Sequence, residues 1–150
     1  MRAEDYMRRA LELAARAAEA GDVPVGCVVV KDGRIVGEGY NRRQARGDAT
    51  AHAELEAIRD ACARLGRWRL NDCEMYVTLE PCPMCAGGII NARLAELHYG
   101  TKDEKAGACA SVIDLFQERF NHRPRVYPGL LERECAEQLQ AFFQQLREEK

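Results

Sequence analysis

The segment Glu74–Arg93, "EMYVTLEPCPMCAGGIINAR", constrains the fold more than any other stretch. It opens as a short apolar strand over Glu74–Leu79 and turns into a helix within a few residues. Pro83 suits the first turn of that helix, because the N–H it lacks is one of those left unpaired there anyway. Cys82 falls at the cap, and the helix reads to about Arg93. A strand running so abruptly into a helix is a building unit of layered α/β sheets. In such sheets ligands gather beyond the carboxyl ends of strands, where helices begin. Here that junction carries two cysteines, Cys82 and Cys85.

The remaining periodicities agree with this class. Residues 4–20 read as an amphipathic helix with Tyr6, Ala10, Leu13 and Ala17 at helical spacing and Gly21 as the stop. "VGCVVVKDGRIVGEGYN" is a β-hairpin turning at Asp32-Gly33. Thr50 is a candidate cap for a helix to about Leu65, with Ala53, Ala57, Ile58 and Ala61 facing inward. "LAELHYG" gives a further strand, followed by a long loop from Thr101 to about Ala110. A short helix near 111–117, an extended piece at 125–127 and a helix from Leu130 complete the order. The expectation is one domain over residues 1–150, a mixed sheet with helices on both faces. Gly87-Gly88 costs about 1 kcal/mol per residue inside a helix, which close backbone packing would explain.

Composition narrows the functional classes. The 150 residues are 47% hydrophobic and 31% charged, ordinary for a soluble globular chain. No apolar run approaches the roughly 18 residues of a membrane span, and the charged N-terminus lacks a signal-peptide core. A cytoplasmic location is the expectation. Seven cysteines, mostly single, argue against a disulfide framework. The net charge of −2 gives no global sign of nucleic-acid binding. "NRRQAR" at 41–46 and "NHRPR" at 121–125 are local basic clusters, readable as solvated loops or as parts of a basic face.

The Cys-x-x-Cys pair alone could be half a zinc site, a redox dithiol or coincidence. His52, in "TAHAELEAI" and at the second position of its helix, supplies a third soft ligand that favours zinc. Helix N-termini carry partial positive charge and favour the thiolates a metal needs. Three ligands leave a position open, as catalytic zinc sites do; Cys73 or Cys109 would be the candidates for a fourth. Glu54 lies two residues beyond His52 and on a regular helix would not share its face, so it reads as a proton carrier and not a ligand. "HAELE" lacks the second histidine of a zincin. A redox dithiol would leave His52 and Glu54 idle.

His-x-Glu followed by Pro-Cys-x-x-Cys is similar to the zinc nucleobase-deaminase signature. "PVGCVVV", "GEGYNRR", "TAHAELEAI", "YVTLEPCPMCAGGIINARL", "YGTKDEKAGACAS", "FNHRPRV" and "LLERECAEQLQAFFQQLR" resemble, nearly end to end, the bacterial tRNA-specific adenosine deaminase family. The resemblance implies a three-layer α/β/α cytidine-deaminase-like fold with a mixed five-stranded sheet. It implies one Zn²⁺ per subunit on His52, Cys82 and Cys85, with Glu54 shuttling protons, and no nucleotide cofactor. It implies a homodimer acting on the wobble adenosine of a tRNA anticodon stem-loop, in an arginine tRNA. Asn41, Asp103, Lys105, Asn121, His122, Phe143 and Arg147 match substrate-side positions, Phe143 for stacking and Arg147 for phosphate. Of Phe142 and Phe143, at least one is expected in the core.

"PCPMC" also resembles guanine deaminases of the same superfamily, which act on a free base. The loop around Asp103–Lys105, "FNHR" and the terminal helix resemble the RNA-acting branch instead. A zinc-stabilised RNA-binding module is the non-enzymatic alternative; it would use four protein ligands and have no need of Glu54.

Overall fold

The computed structural model describes residues 2–149. Its elements are α1 (Ala3–Glu19), β1 (Gly26–Lys31), β2 (Arg34–Tyr40), α2 (Arg43–Arg46), α3 (Ala53–Leu65), β3 (Glu74–Leu79), α4 (Pro83–Ala92), β4 (Glu96–Thr101), β5 (Arg125–Pro128) and α5 (Glu132–Glu148). The five strands form one mixed sheet in the order β2-β1-β3-β4-β5. β1 runs antiparallel to both β2 and β3, while β3, β4 and β5 are parallel.

Strand alternation sorts the core into two layers. Cys27 and Val29 of β1, Met75 and Val77 of β3, and Leu97 and Tyr99 of β4 pack with the buried alanines of α3 and with Ala86, Ile89 and Ile90 of α4. Val28, Val30 and Tyr76 face the other way, toward Met7, Ala10 and Leu13 of α1 and Cys135 of α5. The expected three-layer α/β/α arrangement is the one observed. Burying a residue such as Met75 completely contributes about 1.5–3 kcal/mol, so these two rows dominate cohesion.

The hairpin turns where its sequence predicts, with positive φ at both Asp32 and Gly33 (50° and 76°) as a two-residue loop requires. Close helix–sheet packing depends on small residues. A Cβ on Gly39 would stand 2.6 Å from the Ala57 amide nitrogen, so α3 can lie against β2 only because that side chain is missing. At Gly88 an added Cβ would meet only side-chain tips, Leu55 Cδ2 at 2.7 Å and Ile58 Cδ1 at 3.7 Å, and no backbone. Gly87 meets nothing within 4 Å.

Five local expectations are corrected. His52 is not inside a helix: it is the extended N-cap of α3 (φ −84°, ψ 150°), and the helix begins at Ala53. Thr50 does not cap it, because its amide and hydroxyl both donate to Asp48 in a preceding turn. The basic cluster at 41–46 contains the short helix α2, and the expected helix at 111–117 shrinks to a 3-10 turn at Leu115–Gln117. Neither phenylalanine of α5 is core. Cys135 is that helix's buried residue, and Phe143 is 41% exposed.

Candidate active site

Because β1 opposes its neighbours, the carboxyl ends of β2, β3 and β4 share one edge with the amino end of β1. A cleft of about 870 Å³ lies along that edge. Val23, Val25, Asn41, Leu79, Glu80 and Thr101 form its sheet side, and His52, Glu54 and Cys82 its floor. Residues 102–106, together with Leu139, Gln140 and Phe143 of α5, make its rim.

Two helix starts build the floor. Asn41, just beyond β2, is buried and spans two elements: its Nδ2 donates to the Val23 carbonyl (3.1 Å) and its Oδ1 accepts from the Ala53 amide (2.9 Å). It thereby satisfies one of the orphan N–H groups that open α3, the task that Thr50 does not perform. Asp22 accepts from the Gln44 amide with both oxygens, which seats α2 beside it. With the chain extended at His52 and helical at Ala53, His52 and Glu54 no longer follow helical angular spacing, and both line the same cleft. The second start is α4, where Cys82 is the N-cap and Pro83 the first helical residue.

His52 Nδ1 lies 3.6 Å from Cys82 Sγ and 3.5 Å from Cys85 Sγ. The three ligand atoms lie within 4.8 Å of one another. Tetrahedral zinc, with bonds of about 2.3 Å to sulfur and 2.0–2.1 Å to nitrogen, needs ligand atoms about 3.5–3.8 Å apart. The donors therefore fit a zinc ion by type and by spacing. Among the described residues this cluster contains no fourth ligand. Cys109 Sγ instead lies 3.9 Å from the Pro81 carbonyl, and Cys73 Sγ 3.4 Å from Asp72 Oδ1.

The electrostatics favour a metal-binding thiolate. Cys82 is pushed down to about 4, first by a hydrogen bond from the Cys85 thiol, then by His52 and the Cys85 amide. Cys85 moves upward, because it holds the shared proton beside that thiolate and is itself buried. Bonding to Cys82 raises His52. Glu54, only 4% exposed, is pushed up to about 7 by burial, with the Cys82 charge adding to the shift. A carboxyl there is neither a surface group nor a member of the ligand cluster.

The substrate-side candidates separate into three places. Asn41, Asp103, Lys105 and Phe143 line the cleft. Arg147 borders a neighbouring groove that shares Lys105, Leu139, Gln140 and Phe143 with it. Asn121 and His122 lie elsewhere: His122 Nε2 is 2.6 Å from the carbonyl of Leu94, which precedes β4, at the opposite end of the strand from the cleft. The lining also includes Val23, Val25, Leu79, Glu80 and Arg43, which the sequence does not single out as site residues. Glu80 carried a signal, an acidic residue between a buried strand and the cysteine pair; the apolar ones carried none.

Comparison with known proteins supplies the class. Residues 1–147 match the model of the MafB19-like deaminases. The tRNA-specific adenosine deaminase of Bacillus subtilis (strain 168) is 45% identical over 98% of this chain and 92% of its own length. A structure solved in a study of A-to-I editing by tRNA:A34 deaminases at the wobble position superposes with a TM-score of 0.87 at 46% identity, covering 89% of this chain and 98% of the other. The guanine deaminase of Bacillus subtilis gives 0.66 at 44% identity, over 78% and 74% of the two chains. Fold, cysteine–histidine corner and buried glutamate are thus those of a deaminase enzyme. More particularly, the chain belongs to the tRNA-specific adenosine deaminase family.

Proposed function

We propose that this chain, as a single deaminase domain, converts the wobble adenosine of a tRNA anticodon stem-loop, in an arginine tRNA, to inosine and ammonia. One observation carries the reading: three soft ligands at tetrahedral spacing beside a buried, non-ligating Glu54. His52, Cys82 and Cys85 would hold the zinc ion. When bound, that ion supplies Lewis acidity that makes water nucleophilic near neutral pH.

The chain's own residues do the rest. Glu54 takes the proton that water releases on attacking the adenine carbon bearing the amino group. It delivers that proton to the neighbouring ring nitrogen, and later assists departure of ammonia. Water supplies the oxygen of inosine, and the amino nitrogen leaves. The rigid edges around Asn41 and Leu79 hold the base against the floor. A base must leave its stack to reach such a cleft, and a single-stranded loop makes that inexpensive. Asp103, Lys105 and Phe143 on the rim meet flanking nucleotides, and Arg147 a phosphate farther out. Asn121 and His122 are assigned to RNA contacts outside this cleft. The enzyme works in the cytoplasm as a homodimer; Gly87, open on α4, leaves room for close approach of a second copy. Among the described residues no helix is long and apolar enough to cross a membrane.

The test offers an anticodon stem-loop with wobble adenosine beside free guanine and free cytosine. Inosine in the RNA supports the reading. Ammonia from guanine alone replaces it with the free-base reading, which the lower overlap with guanine deaminase disfavours. RNA binding without turnover, together with a fourth protein ligand on the metal, would establish a zinc-stabilised binding module instead.

A further inference from the structure

Glu80 has no part in the chemistry above, yet it is among the most deeply buried charged-type residues of the chain, 2% exposed. It follows β3 directly and precedes Pro81-Cys82. Its Oε1 accepts from the Asp103 amide (3.1 Å) and from the Ser111 hydroxyl. Its Oε2 accepts from the amides of Cys109 (2.9 Å) and Ser111 (3.1 Å). All four donors belong to the loop between β4 and the 3-10 turn. Four donors on two oxygens is a pattern that a carboxylate satisfies and a carboxamide does not, since its NH₂ end cannot accept.

The bonds divide between the two limbs of the loop, Asp103 on one and Cys109–Ser111 on the other. The tip between them is turned by Asp103 itself, whose Oδ1 accepts from the amides of Lys105 and Ala106 (3.1 Å each). Gly107 lets the loop close over the carboxylate, because a Cβ there would collide with the Glu80 carboxyl group. Lys102, Asp103, Glu104, Lys105 and Ala106 are the rim residues of the cleft, and none of them is buried. Apolar packing anchors the second limb through Ala108 and Cys109 but not residues 102–106, whose placement falls to hydrogen bonds with a buried acceptor.

We infer that Glu80 is a positioning residue for substrate recognition: one carboxylate gathers both limbs of the 102–111 loop and sets the rim that meets the RNA. This rests on the functional reading above. It assigns a role in binding to a residue of the cleft lining that is not a member of the metal cluster.

The experiment compares zinc-loaded wild-type, Glu80→Gln and Ser111→Ala chains. It reads zinc content, kcat and KM for the wobble-adenosine stem-loop, and amide hydrogen exchange. Glu80→Gln should keep zinc, raise KM roughly ten-fold or more through the loss of buried bonds, and change kcat much less. Exchange should quicken at Asp103, Cys109 and Ser111 but not in α3 or β3. Ser111→Ala removes only the hydroxyl bond, keeps the fold if Glu80→Gln does not, and should shift KM and exchange less in the same direction. Unchanged exchange at these amides in both variants would overturn the inference. So would a fall in kcat in step with zinc content at constant KM, which would make Glu80 a support of the metal corner. If wild type forms no inosine, the functional reading fails visibly in that arm, and the exchange arm alone decides whether Glu80 holds the loop.

Discussion

The floor and the rim of the cleft are built on different principles. The floor consists of two helix starts on the sheet edge, with buried neighbours and interlocking hydrogen bonds from Asn41, His52 and the cysteine pair. The rim consists of a loop hung from Glu80 and the exposed side of α5, where Phe143 is 41% open to solvent. The floor must hold donor atoms at tetrahedral spacing, which tolerates errors of only a fraction of an ångström. The rim carries exposed aromatic and charged groups, Phe143 and Lys105 among them, which the proposed function assigns to the RNA. Buried, interlocked side chains thus sit where the chemistry is proposed, and exposed ones where recognition is proposed.

The strongest way to break this contrast is to remove a floor ligand. Cys82→Ser or Cys85→Ser should abolish copurifying zinc, read by elemental analysis, and with it all inosine formation. Next in size is Glu54→Ala, which should keep zinc while kcat falls about 10²–10⁴-fold; wild-type turnover in the metal-loaded variant would remove Glu54 from its assigned role. On the rim, Phe143→Ala should weaken stem-loop binding by about 1–3 kcal/mol, seen as a raised KM, and leave the melting temperature unchanged. A melting-temperature drop as large as that of a core truncation would move Phe143 from recognition to stability. The smallest effect is expected from Cys73→Ala. It should retain zinc and activity and cost about 1 kcal/mol in denaturant unfolding, because its thiol is buried outside the ligand cluster.

Much of the floor was legible in the chain because its signals are local. Pro83 marks a helix start, Cys-x-x-Cys places both sulfurs within one turn of that start, and the Asp32-Gly33 turn sets the hairpin. His52 shows the limit. Its identity as a ligand could be read, but helical spacing misplaced it relative to Glu54, because the residue that decides where α3 begins is Asn41, a partner from a different element. Glu80 shows the same limit more sharply. Nothing near it in the chain announces that its four donors lie between Asp103 and Ser111. The α5 phenylalanines fail for a related reason: large aromatic side chains suggest a core position, but the residue α5 buries is Cys135, near its start.

The order of the five strands and the longer helices, the soft ligand set and the resemblance to deaminases were therefore legible in the amino-acid sequence alone. They depend on backbone conformations and side-chain chemistries that neighbouring residues impose on one another. Only the tertiary structure decided that Glu54 is buried beside the ligands, that Asn41 and not Thr50 opens α3, and that one carboxylate accepts from both limbs of the 102–111 loop. Those outcomes depend on which unpaired polar groups meet when distant segments pack. Burial makes each such meeting costly to leave unsatisfied, and chain position alone does not specify the partner.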